Sequence, residues 1–176
     1  MQVIIALGAN LGQPQETLRA AASDIAALNG ISVLAASSLY CTTPVGYAAQ
    51  DDFINAVMAV ASSLEPLELL KQLTALEQKY KRVRTIKNGP RTLDLDVITC
   101  GDILSADPVL TLPHPRAQER AFVLVPLAEI APDLIFPDTK RSVQSLVAGL
   151  SAEDIAGVRL LNAKLLAPAD VAPTLS

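Results

Sequence analysis

Lys81-Arg82-Val83-Arg84-Thr85-Ile86-Lys87-Asn88-Gly89-Pro90-Arg91-Thr92 runs directly into Leu93-Asp94-Leu95-Asp96-Val97-Ile98, and this junction decides how the rest of the chain is read. The first part lacks apolar periodicity and carries Asn88-Gly89-Pro90, a strong loop signal. The second alternates with period two, which predicts a strand with Leu93, Leu95 and Val97 on one face and Asp94, Asp96 and Ile98 on the other. Two carboxylates at i and i+2 then point the same way, about 7 Å apart by strand rise. Unscreened they would repel and raise one another's pKa, so positive charge belongs between them.

That charge can come from a cation or from the neighbouring arginines. Mg²⁺ is a hard ion held by one or two carboxylates together with substrate phosphates. Arginine offers a fixed fork for phosphate oxygens. Carboxylates, metal and arginines together are the equipment for moving a phosphate-containing group. The plain alternative is a solvated strand face whose charges pair with the basic loop. Five of the chain's 14 Lys and Arg lie within Lys81–Asp96, and that concentration puts the ligand-binding reading ahead.

The bulk of the chain frames this site. Its 176 residues are 51% apolar, enough for one domain with a sizeable core and too apolar for general disorder. The expected layout is one domain over 1–162 with a flexible tail over 163–176. A net charge of −4 and a pI near 4.9 argue against a nucleic-acid binder. Cys41 and Cys100 give neither a disulfide framework nor metal-ligand spacing. With no signal peptide and no membrane-spanning run, the expectation is a soluble cytoplasmic protein.

Around the junction, Val3–Leu7 reads as a buried strand ending in the glycine turn Gly8–Gly12. Leu18, Ala21, Ala22, Ile25 and Leu28 mark a helix over 15–28. A strand is expected over 31–40, and another over 51–60 with Phe53, Asn55 and Val57 on one face. Pro66 to Tyr80 is a second amphipathic helix. Glu77 near its end opposes the helix dipole and so points to a local partner. A short strand is expected over Val109–Leu112, then the only histidine in Pro113-His114-Pro115-Arg116, held on a loop by its prolines. Helices follow over 122–130 and 142–150. The order β-α-β-β-α-β predicts an α+β, ferredoxin-like fold: an antiparallel sheet with helices on one face, a groove on the other and mobile loops over the site.

With these motifs in place the chain resembles the 6-hydroxymethyl-7,8-dihydropterin pyrophosphokinases of folate biosynthesis. The resemblance covers roughly Val3 to Pro137 and rests on Leu-Gly-Ala-Asn-Leu-Gly (7–12), Tyr-Cys-Thr-Thr-Pro-Val-Gly (40–46) and Asp-Phe-Ile-Asn-Ala (52–56). It continues through Arg-Val-Arg (82–84), Gly-Pro-Arg-Thr-Leu-Asp-Leu-Asp-Val (89–97), Leu-Pro-His-Pro (112–115) and Arg-Ala-Phe-Val-Leu-Val-Pro-Leu (120–127). The run over 89–97 is highly specific; the others gain weight from their order.

The resemblance implies transfer of the terminal diphosphate of ATP to the pterin hydroxymethyl oxygen, with release of AMP. Asp94 and Asp96 match ligands to two Mg²⁺ ions, and Arg82 and Arg91 match loop arginines that clamp phosphates. Glu77, Arg84, Ile98, His114 and Arg120 match positions contacting ATP. The pterin is expected to stack between Phe53 and Phe122, with Asn55, Asp94 and groups of Thr42, Thr43 and Val45 reading its edge. No nucleic acid or membrane partner is implied, and a monomer is expected. Departures are Asn88 where some members carry Trp, Phe53 for a common Tyr, Ala9 for a frequent Ser and Lys81 for a frequent Gly. The competing class is a ferredoxin-like regulatory module that binds nucleotide or a folate-type ligand without turnover, which has no need of two metal-ligating carboxylates.

Overall fold

Val3 to Leu7 forms an interior strand of the sheet because every side chain in it is apolar, so both of its faces can be buried. The computed structural model describes residues 1–44, 50–80 and 92–171. The first strand, β1 (Gln2–Ala9), is followed by α1 (Pro14–Ala26), β2 (Ile31–Ala36), β3 (Ser38–Thr42), β4 (Phe53–Ser62), α2 (Pro66–Lys79) and β5 (Asp94–Cys100). Then come α3 (Ala121–Ile130), α4 (Val143–Ala148), α5 (Ala152–Ala156) and β6 (Val158–Lys164). The strands make one six-stranded sheet in the order β5-β1-β4-β3-β6, with β2 also paired to β4. Every pairing between these strands is antiparallel. The expected α+β, ferredoxin-like order is therefore present.

Strand alternation divides the core in two. Val3, Ile5 and Leu7 of β1, Ile54, Ala56 and Met58 of β4, and Leu95 and Val97 of β5 pack with Leu18 and Ile25 of α1 and Leu69 and Leu73 of α2. The opposite parity, Ile4, Val57 and Ile98, packs with Leu124 and Leu127 of α3 and Val143 and Leu146 of α4. Helices thus cover both faces, where the sequence pattern suggested one. The reason is that α3 is apolar all round except for Glu129 in its last turn, AFVLVPLAEI, so no stripe announces which face it takes. The groove survives only at the end of the second face that α3 leaves open.

Three further differences have local causes. The strand expected over 31–40 is two, because Ser37 breaks it: its N–H donates to the Val57 carbonyl and its Oγ accepts from the Val57 N–H at 2.9 Å. Val109–Leu112 forms no strand; the Asp107 carboxylate accepts the Val109 N–H at 2.9 Å in a turn, and only the isolated bridge Ser105–Leu112 remains. β6 crosses the boundary expected at 162, pairing with β3 from Thr42–Val158 to Ser38–Lys164. Beyond it Leu165 and Leu166 are 1% and 7% exposed.

Leu165 packs into the α1/α2 side of the core, so Leu165→Ala should cost about 2–5 kcal/mol, as other buried Leu→Ala changes do. Urea unfolding measures this. A loss below about 0.5 kcal/mol, the range of ordinary surface substitutions, would show that the segment after β6 does not help hold the domain together.

Candidate active site

One row of residues runs straight across the sheet on the face shared with α3. Asp94 of β5 lies opposite Gly8 of β1, Gly8 opposite Asn55 of β4, and Asn55 opposite Tyr40 of β3. Directly opposed residues in antiparallel strands present their side chains on the same face. With strands about 4.8 Å apart, the Asp94 and Asn55 positions are separated by about 10 Å. Asp96 lies two residues along from Asp94, opposite Ala6, and shares the face.

Gly8 has no side chain, and its place in the row is filled from the side. A methyl group there would lie 2.7 Å from Asn55 Nδ2, closer than a real Cβ comes to a neighbouring heavy atom. Asn55 is 8% exposed. Its Oδ1 accepts from Thr42 Oγ1 at 2.6 Å, and its Nδ2 makes a long contact of 3.5 Å to the Leu7 carbonyl. The amide is thus held by β1 below and β3 beside it. Thr43 donates its N–H to the Gly157 carbonyl at 3.1 Å, which engages that group within the fold.

Above this row is a cavity of about 570 Å³, lined in part by Thr42, Thr43, Phe53, Asn55, Asp94, Asp96, Arg120 and Phe122. These eight sequence-predicted residues are therefore brought together. Arg116, Glu119, Glu153, Asp154 and Gly157 complete parts of its wall and were not singled out beforehand as site residues. The α5–β6 contribution carried no motif and so no signal. The Arg120 guanidinium lies 5.4 Å from the centroid of the Phe122 ring, a cation–π distance. Val45, Arg82, Arg84 and Arg91 lie outside the described residues.

Three expected nucleotide contacts are not among the residues that line this cavity. Ile98 is 1% exposed among Ile4, Val57 and the α3/α4 side chains, so its side chain presents no surface to a ligand. Glu77 is 6% exposed, and its carboxylate accepts the Leu95 N–H at 3.0 Å. It holds the backbone between Asp94 and Asp96, which accounts for a glutamate near the end of α2. His114 is half-buried with its N–H on the Ile98 carbonyl at 2.8 Å and its Nδ1 accepting from the Arg116 N–H at 3.3 Å. Burial depresses its pKa, the Arg120 charge adds to this, and the Asp94 carboxylate acts in the opposite sense. The ring is thus held as a neutral imidazole at neutral pH.

The donor set suits Mg²⁺. Asp94 and Asp96 are two hard oxygen donors on one strand face, open to a cavity that also carries cations for phosphate. Among the described residues no group of three or more His, Cys, Asp or Glu forms a metal cage. Two carboxylates completed by phosphate oxygens and water are an ordinary Mg²⁺ environment.

Two carboxylates, an amide and two aromatic rings line one cavity of an α+β fold, a class of site suited to a flat ring held near a bound cation. Comparison with known proteins narrows the class. Residues 4–132 match the 7,8-dihydro-6-hydroxymethylpterin-pyrophosphokinase (HPPK) family. A 2-amino-4-hydroxy-6-hydroxymethyldihydropteridine pyrophosphokinase of Pseudomonas aeruginosa is 44% identical over 147 residues, 84% of this chain and 91% of that one. Its counterpart in Synechocystis is 44% identical over 144 residues, 82% of this chain and 73% of that one. A Plasmodium falciparum HPPK-DHPS structure with pteroate superposes with a TM-score of 0.68 at 12% identity, covering 90% of this chain and 46% of that chain; this likeness speaks to the fold. The chain spans less than half of such two-part proteins. It belongs to the HPPK family.

Because Gly8 leaves the space that Asn55 fills, Gly8→Ala should lower turnover at subsaturating pterin by about tenfold, a 1.4 kcal/mol effect of displacing the Asn55 amide. Asn55→Ala added to Gly8→Ala should cost little more, since both changes act on one group. Fully additive losses in that double-mutant cycle would contradict the assigned role of the glycine.

Proposed function

We propose that this chain carries out its family's reaction in the cavity over the Asp94–Gly8–Asn55–Tyr40 row, transferring the diphosphate group of ATP to 6-hydroxymethyl-7,8-dihydropterin. The products are AMP and the pterin diphosphate. The observation that carries the reading is the shared cavity of Asp94, Asp96, Asn55, Phe53 and Phe122. It sets a metal-suited carboxylate pair about two strand spacings from an amide fit to read a heterocycle.

In this reading the pterin lies between Phe53 and Phe122, an arrangement that holds a flat ring by offset stacking. Arg120 covers one face of Phe122, so stacking uses the other. Asn55 presents both a carbonyl and an NH₂ group to the ring edge, with the Leu7 carbonyl, which can only accept, on the Nδ2 side setting which end is which. The hydroxymethyl arm then points along the row toward Asp94. Asp94 and Asp96 would hold two Mg²⁺ ions, which when bound supply the positive charge that draws ATP phosphates and the attacking hydroxyl together. Glu77 keeps the Leu95 peptide fixed, and with it the spacing of the two carboxylates. Arg116 and Arg120 line the cavity beside them and suit phosphate oxygens. Arg82, Arg84 and Arg91 are assigned the phosphate clamp on their sequence match. The chain acts on two small molecules as a monomeric cytoplasmic domain, and no described helix is long and apolar enough to cross a membrane.

Asp96→Ala should lower turnover by about 10²–10³-fold or more, the scale of losing one group that stabilises transition-state charge. The half-exposed carboxylate contributes no core volume, so the midpoint of thermal unfolding should stay close to that of the parent. Turnover measured against Mg²⁺ concentration checks both the loss and its cause. An active variant with an unaltered Mg²⁺ profile would remove Asp96 from the metal site.

A further inference from the structure

The end of the cross-sheet row opposite Asp94 is fastened by a residue that does not line the cavity. Glu129 lies in the last turn of α3, where a negative charge opposes the helix dipole. Its side chain is only 25% exposed although the residue sits at the surface. The carboxylate accepts the Ser38 N–H at 3.0 and 3.1 Å, Ser38 Oγ at 3.2 Å, Tyr40 OH at 2.6 Å and Lys164 Nζ at 3.3 Å. Burial alone would raise its pKa, but Tyr40, the Ser38 N–H and Lys164 together hold the carboxyl below its ordinary value. The group is thus an anion held by the start of β3.

Two features make this more than a surface contact. The β2–β4 register slips by one residue between Val33 and Ala35, and the step from β2 to β3 at Ser37–Ser38 follows. The Ser38 N–H is given to Glu129 at that step, which satisfies a donor that would otherwise be lost. Tyr40, 6% exposed, stands directly opposite Asn55 on the face that also carries Thr42. The same helix that supplies Glu129 begins at Ala121, with Phe122 in its first turn. One carboxylate therefore ties the strand that orients Asn55 to the helix that supplies a ring of the stack.

We infer that Glu129 is a positioning residue for the pterin substrate: through Tyr40 and Ser38 it fixes β3 against α3, and so sets the gap between Asn55–Thr42 and Phe122. The inference rests on the pterin reading above. It assigns Glu129 no contact with ATP, whose phosphate partners lie at the other end of the row.

The test is equilibrium binding by calorimetry, with Mg²⁺ and a non-hydrolysable ATP analogue, of 6-hydroxymethyl-7,8-dihydropterin; the analogue is titrated separately. Glu129→Ala should weaken pterin binding by about tenfold and leave the ATP analogue within about twofold. Glu129→Gln, which keeps an acceptor, should recover part of the loss. Tyr40→Phe should give a smaller shift in the same direction and carries the test if Glu129→Ala does not fold. Lys164→Ala removes only a partner whose side chain is 67% exposed, so it should leave pterin binding unchanged. Equal weakening of both ligands, or a lowered melting temperature with no change in pterin binding, would overturn the inference. Tight pterin binding by the parent without formation of the diphosphate would instead count against the proposed reaction.

Discussion

Antiparallel register is the constraint on which the rest of the structure depends. Asp94, Gly8, Asn55 and Tyr40 belong to four strands and become one row only because β5, β1, β4 and β3 pair in this alignment. A one-residue slip would turn a strand's whole side-chain set to the other face. It would bury Asp94 and Asp96 among Leu18, Leu69 and Leu73 while exposing Leu95 and Val97. The apolar α1/α2 core therefore enforces the position of the carboxylates without touching them. The hydrophobic effect sets the register, and the register sets the chemistry.

Helix α3 completes the arrangement by stopping short. Leu124 and Leu127 cover Ile4, Val57 and Ile98, while Ala121 and Phe122 stand at the cavity edge. Where the helix ends, the sheet face becomes polar: Asp94, Asp96, Asn55 and Thr42 replace aliphatic residues of the same parity. Each polar group there is supported from behind. Glu77 holds the Leu95 peptide, Thr42 holds Asn55, and Glu129 holds Tyr40 and Ser38. Such backing restrains the side chains, and preorganised groups aimed at developing charge are where transition-state stabilisation comes from.

Much of this could be read from the chain before folding. Period-two alternation placed Asp94 and Asp96 on one face, and the same rule set Asn55 beside Phe53 and Val57. The 3.6-residue spacing of Leu18, Ala21, Ala22 and Ile25 gave α1. What stayed hidden had physical reasons. Val158-Arg159-Leu160-Leu161-Asn162-Ala163-Lys164 does not alternate strictly between apolar and polar, so β6 gave no strand signal, and the cavity wall it brings with α5 was missed. An α3 that is apolar on every side but for Glu129 could not say which face of the sheet it covers. Glu129 shows the signal that drew attention to Glu77, an acid near a helix C-terminus, yet its partners Ser38 and Tyr40 lie about 90 residues earlier in the chain. Long-range pairing of that sort leaves no local trace.

The most direct measurement of the central claim is the identity of the nucleotide released when purified protein, Mg²⁺, ATP and 6-hydroxymethyl-7,8-dihydropterin are incubated and resolved by chromatography. The account predicts AMP, appearing in step with a pterin diphosphate. ADP in step with a pterin monophosphate would mean that the cavity moves a single phosphoryl group, and the assignment of the bond broken would be wrong.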